Sequence, residues 1–308
     1  MTCLHERRRF LLGLAAGVAM SQVPLAPAWA QSRRAPLVST PLPGGLHLIT
    51  GAGGNVVVGR DAEGALMVDG GTAGRAPELL KLALRETGTR RIHTLINTHW
   101  HPDQTGSNER LGKLGARIIA HENTRLWLTM ANPLIGQPGT YGPLPATARP
   151  NATTYAKGTL QLGSERVDYG YLLQAHTDGD LYVHFKDANV LVAGDVVCND
   201  GWPVIDWRTG GWIGGMVDGL TKLIAVSDAS TRIVPGRGPL LTRADLETQR
   251  NHYATIFERL EALMRQGKGP DEALAAKPTK DFEGARGDPT LFVTLAFQSM
   301  WGHFAPNA

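Results

Sequence analysis

Cysteine is nearly absent from this chain: there are two in 308 residues, Cys3 and Cys198. With Cys3 inside the expected export signal, only Cys198 would remain, and one thiol builds no disulfide framework. An excess of one charge is also lacking. The formal net charge is +3, and Arg7, Arg8 and Arg9 against Glu6 carry +2 of it, which leaves +1 on residues 31–308. A basic face for nucleic acid is therefore not implied. No repeat of fixed period occurs, and after the first thirty residues no apolar run is long enough to span a bilayer. What remains, 42% hydrophobic and 19% charged, is globular composition sufficient for one large domain or two small ones.

The first thirty residues read as an export signal. In "ERRRFLLGLAAGVAM" three arginines precede a short apolar run, and Ala28 and Ala30 flank Trp29 as an A-x-A-like cleavage site. Cleavage there starts the mature chain near Gln31, removes Cys3 and leaves Cys198 as its one thiol. The run Arg7-Arg8-Arg9-Phe10-Leu11 resembles the twin-arginine signal, whose route carries folded proteins, and implies a periplasmic destination. An ordinary secretory signal and an uncleaved anchor are the alternatives.

Along the mature chain, strand-like runs alternate with amphipathic helical ones, an α/β pattern. "GNVVVGRDAEGALMVDGG" reads as two strands about the turn Asp61-Ala62-Glu63-Gly64. "APELLKLALRETG" reads as a helix with Leu79, Leu80, Ala83 and Leu84 on one face, Pro77 near its start and Gly88 at its end. Strands are expected at "IHTLINT", "ARIIAH", "GTLQLG", "YLLQA", "LYVHF", "NVLVAG" and "RIV". Residues 133–157 are rich in Pro, Gly, Thr and Ala without periodicity, as a lid or substrate wall would be. A helix is expected around Met216 to Ser227, and Thr242 can cap a longer one striped by Ile256, Phe257, Leu260, Leu263 and Met264. We expect a main domain over 31–267 and a helical extension over 268–308, packed on it through Phe292, Leu295, Phe297 and Trp301.

In "INTHWHPDQTG" (96–106) a strand runs into a loop bearing His99, His101 and Asp103 at alternate positions. Imidazole nitrogens and a carboxylate suit a borderline ion such as zinc. "QAHTDGD" adds His176 and "VLVAGDVV" adds Asp195, each after a strand-like run, so a sheet edge can gather them. Cys198 is either a soft ligand or a half-buried free thiol. Trp202, Trp207 and Trp212 either wall a pocket or pack in the core. His47, His93, His121, His184, His252 and His303 lack ligand spacing.

The order THxHxD, AHTxGD, AGD, PGxG resembles the metallo-β-lactamase superfamily from about Gly44 to Pro239, and "MVDGG" with Asp69 and "HENT" at 121–124 are similar to it too. The resemblance implies an αββα four-layer sandwich with a metal centre at the open edge of its sheets, as in glyoxalase II-like hydrolases, lactonases, β-lactamases and iron-dependent persulfide dioxygenases. By that resemblance His99, His101 and His176 form the first metal site, Asp195 is the bridging carboxylate and Asp103 belongs to the second site. Two positions depart from it: Gln104 and Arg237 stand where histidines are expected. An amide is a poor zinc ligand and a guanidinium stays protonated, so the second site is expected to fail. Arg237 is expected to pair with Asp103 as a fixed cation in its place.

These readings imply one zinc ion, with a water in its open position brought to a pKa of roughly 7. Asp103 would orient that water or take its proton, and Arg237 would steady the anion formed on a small-molecule ester, thioester, lactone or amide, β-lactams included. An iron enzyme of persulfide-dioxygenase type, using His99, His176 and Asp195, and a non-catalytic metal-binding module are the competing classes.

Overall fold

The computed structural model describes residues 35–282 and 284–304. The expected export signal at 1–30 lies outside the described residues. Strands β1 (Val38–Pro41), β2 (His47–Thr50), β3 (Val56–Arg60) and β4 (Ala65–Val68) form an antiparallel run. Helix α1 (Ala76–Thr87) then leads to β5 (Ile92–Ile96), helices α2 (Pro102–Thr105) and α3 (Asn108–Lys113) lead to β6 (Arg117–His121), and α4 (Glu122–Trp127) follows. A small hairpin of β7 (Asn132–Pro133) and β8 (Thr140–Tyr141) precedes β9 (Ala152–Thr154). Helix crossovers allow β4, β5, β6 and β9 to lie parallel, which completes a seven-stranded sheet in the order β1-β2-β3-β4-β5-β6-β9.

The second sheet holds β10 (Lys157–Leu162), β11 (Glu165–Leu172), β12 (Asp180–Phe185), β13 (Val190–Cys198) and, after helix α5 (Ile213–Val226), β14 (Arg232–Arg237). Helices α6 (Arg243–Arg265), α7 (Pro270–Ala275) and α8 (Thr290–Phe304) follow. None of the helices among the described residues is long and apolar enough to cross a membrane.

Period-two alternation sets the layers. Val57, Leu66, Val68, Ile96 and Ile119 point to one face of the first sheet, where they meet Val167, Val183, Phe185, Val190, Val192 and Val234 of the second. Their neighbours Val56, Val58, Met67, Leu95 and Ile118 point the other way, onto Leu79, Leu82 and Ala83 of α1 and Leu111 of α3. On the far side, Leu191, Ala193 and Ile233 meet α5, α6 and α8. The result is helix, sheet, sheet, helix: the expected αββα sandwich.

Local signals explain most boundaries. Pro77 opens α1 and Gly88 closes it at φ 64. Thr242 and Asp245 form a reciprocal capping box on α6. Three expectations need correction. The segment 133–157 is not a bare loop: it supplies the β7–β8 hairpin and a full edge strand, β9. The strand expected at "YLLQA" ends at Leu172, where the chain turns through Gln174 at φ 46. In α8, Phe292, Leu295 and Phe297 are buried, but Trp301 is 53% exposed because the buried face ends one residue earlier, at Met300. Trp202 stacks on Phe292 and Trp212 on His303, so both tryptophans bind α8 to the sandwich by ring packing.

Candidate metal centre

The parallel strands deliver their C-terminal ends to one edge. Asp69 follows β4 and takes a left-handed backbone, φ 63. Its buried carboxylate accepts hydrogen bonds from the Thr98 N–H (2.8 Å) and hydroxyl (2.9 Å), which fixes the turn after β5 that carries His99 and His101. Burial raises the Asp69 pKa well above the usual carboxylate value, although the bonds from Thr98 oppose this. On the second sheet, Asp195 sits where β13 departs from regular register with β14. A Cβ on Gly236 would fall 1.7 Å from Asp195 Oδ1, so the glycine of "PGRG" is what lets this carboxylate stand between the strands.

His99, His101, His176 and Asp195 converge, each offering one ligand atom within 4.8 Å of the others. The hydrogen-bond network assigns the tautomers. The Thr98 hydroxyl donates to Asp69, so at 3.1 Å from His99 Nδ1 it accepts the N–H of that ring. His101 Nε2 donates to Asp206 Oδ2 at 3.0 Å. His176 Nδ1 donates to the Val204 carbonyl at 2.7 Å. Each ring therefore turns a bare lone pair inward: His99 Nε2 is buried with no hydrogen-bond partner, and His101 Nδ1 faces His176 Nε2 at 3.0 Å. Two nitrogens so close need a shared proton or a metal cation between them, and the donor set fits a tetrahedral divalent ion.

Electrostatics agree with neutral donors at His99 and His176. Burial lowers the pKa of His99 well below its ordinary value and brings His176 to about 4, helped in each case by neighbouring imidazoles. At His101 burial is outweighed by the Asp206 carboxylate, and its pKa rises. Burial also opposes the Asp195 carboxylate, but Arg237, His176 and His101 together hold it below the usual range.

Asp103 does not join this group. Alternation of side chains holds for extended backbone only, and α2 begins at Pro102, which carries Asp103 round to another partner. Its Oδ2 lies 3.2 Å from Arg237 Nη1, while Arg237 Nη2 lies 3.6 Å from Asp195 Oδ2 and Nε lies 3.6 Å from Asp200 Oδ2. Gln104 is buried and turns its amide nitrogen to Asp195 Oδ1 at 3.4 Å. The corner beside Asp103 and Asp195 is thus filled by an amide and a guanidinium. Neighbouring backbone closes over it: Asn55 N–H donates to Gly236 O, and its side chain donates to the carbonyls of Pro235 and Gly238. Cys198 is outside the group too. Its thiol, pushed up to about 12 by burial, donates to Asp200.

Asp206, the Val204 carbonyl and Asp200 are participants that the sequence reading did not single out. So is Tyr141, whose hydroxyl lies 2.7 Å from the Thr105 hydroxyl and whose ring stacks on Trp100, between the two ligand histidines. None carries a motif; Asp206 stands in "GWPVIDWRTGGW" with only tryptophans and glycines to mark it.

Comparison with known proteins places this geometry. The family model of the metallo-beta-lactamase superfamily matches residues 49–262. Among solved structures, the metallo-beta-lactamase from Pontibacter korlensis is similar at 17% identity and a TM-score of 0.58, over 71% of this chain and 99% of that one. DIM-1 metallo-beta-lactamase is similar at 19% identity and 0.57, over 72% and 98%. BLEG-1 B3 metallo-beta-lactamase is similar at 21% identity and 0.51, over 68% and 95%. At such identities the likeness shows the fold alone, and no curated protein matched the chain. With the family model spanning more than half of its length, the chain belongs to the metallo-beta-lactamase superfamily.

Proposed function

We propose that this protein is an exported, mononuclear zinc hydrolase of small molecules that cleaves an ester, thioester, lactone or amide bond. Family membership and the metal-binding group support a metallohydrolase-type function. The observation that carries the finer reading is the set of three inward lone pairs, each imposed by a different outer acceptor, beside a corner already occupied by Arg237. Three imidazoles with one carboxylate suit zinc, and His99, His101, His176 and Asp195 would hold it. The ion would supply a Lewis acid that brings a coordinated water to a pKa of about 7.

The remaining steps belong to the chain. Arg237 engages one oxygen of Asp103, and the other oxygen is the acceptor for the proton of the attacking water. The guanidinium keeps its three nitrogens on Asp103, Asp195 and Asp200 and would act on the oxyanion only as a nearby fixed positive charge, not as a hydrogen-bond donor. Asp206 and Val204 keep the imidazoles of His101 and His176 in orientation through the reaction.

Elemental analysis of the mature protein, purified from the exporting cell, tests this reading. One zinc per chain, with hydrolysis in a panel of esters, thioesters, lactones and amides, is the expected result. Iron with oxygen uptake would replace it by the dioxygenase reading, and tight zinc without turnover by a binding role. Export is tested by cell fractionation and N-terminal sequencing, which should find a periplasmic chain starting near Gln31.

A further inference from the structure

Beside the metal centre, on the far side of Arg237, lies a cavity of about 650 Å³, a size that takes a small organic molecule. Its walls are Thr40 and Leu48 from β1 and β2, the glycine-rich turn at 51–54, and Leu240 after β14. The charged residues in this lining are Asp200 and Arg237. They face each other at 3.6 Å, and the other two nitrogens of the guanidinium face Asp103 and Asp195. Three carboxylates thus surround one guanidinium, a formal charge of −2 that a divalent ion would bring to zero. Among the described residues the lining holds no further cation to meet an anionic group, and Asp200, 39% exposed, presents its carboxylate there.

We propose that this cavity receives an uncharged, largely apolar part of the substrate, and that Asp200 is a specificity-determining residue that turns away substrates bearing a carboxylate next to the scissile carbonyl group. The apolar and glycine walls give the chain of such a substrate a desolvated seat. With that chain seated, a carboxylate next to the scissile carbonyl would lose its hydration beside Asp200 and find Arg237 already engaged. The inference rests on the hydrolase reading for its choice of reacting bond, and on the lining residues alone for its choice of ligand.

The test separates the two. Binding of N-octanoylglycinamide and N-octanoylglycine, which differ in one carboxylate, is measured by calorimetry on the zinc-loaded protein; turnover is measured on the matching esters, O-octanoylglycolamide and O-octanoylglycolate. The neutral amide should bind about tenfold tighter than the anion. In Asp200→Asn that preference should narrow by about fivefold, the order expected for one part-exposed charge. Thr40→Trp, at an exposed position on the cavity wall, should weaken N-octanoylglycinamide while leaving N-acetylglycinamide unchanged. Equal or tighter binding of the carboxylate, or indifference of the octanoyl probe to Thr40→Trp, would overturn the inference. A retained binding preference without ester turnover would uphold it and reject the hydrolase reading. Equal turnover of both esters would do the reverse.

Discussion

Arg237 Nη1 stands 3.2 Å from Asp103 Oδ2, and 134 residues of chain separate the two. On the proposed reading, a guanidinium held there would exclude a second divalent cation by its own charge and volume. Substituting both Gln104→His and Arg237→His should raise the zinc content from one to two per chain, measured by elemental analysis. An unchanged single ion would show that these residues do not set nuclearity.

Asp206→Asn keeps an acceptor near His101 Nε2 but removes the negative charge that orients the ring. Loss of such an outer partner typically costs about 10–100-fold in metal affinity. Competition with a chromophoric chelator should show that loss with the fold intact by circular dichroism. An affinity within a factor of two of the parent would mean that the Val204 and Thr98 contacts suffice.

His121 predicts a pH dependence away from the metal. Its Nδ1 caps α4 by accepting the Asn123 N–H, and the ring, 2% exposed, stacks on Tyr171. Burial lowers its pKa from the ordinary 6.5, so the unfolded chain binds this proton more readily than the folded one. The stability contributed by the cap is therefore full above about pH 6.5 and is lost as pH falls from there through the folded value. His121→Asn keeps a capping side chain without titrating. Thermal melts between pH 7.5 and 5 should show a shallower fall for the variant. Parallel curves would assign the dependence to other groups.

Phe297→Ala should cost about 3–5 kcal/mol, because the ring is 1% exposed in the cluster that joins α8 to α5 and α6. Urea titration should show the midpoint falling in one cooperative step. Two separate transitions would mean that residues 268–308 fold as their own unit.

Much of this architecture was legible. Strands such as Val56–Arg60 and Val190–Cys198 announce themselves by residues that serve two apolar faces, and His99, His101, His176 and Asp195 stand just after such runs or within one. What the sequence hid depends on chain closure. His101 meets Asp206 across 105 residues, and Trp100 meets Tyr141 across a hairpin with no periodic signal. Asp103 stands apart from the four-residue group because a helix begins at Pro102, and it meets Arg237, the pairing expected from the sequence.

The terminal helix does more than cover apolar surface. Ser299 accepts the Ile213 N–H at the start of α5, and His303 lies 3.6 Å above Trp212, directly after the loop that supplies Val204 and Asp206. The acceptors that aim His101 and His176 are thus braced by residues that lie much further along the chain than the histidines themselves. During synthesis the ligand histidines emerge long before their orientation is secured. A nascent chain would hold an ion loosely until α8 has docked, which would make firm metal capture wait on the packing of that helix.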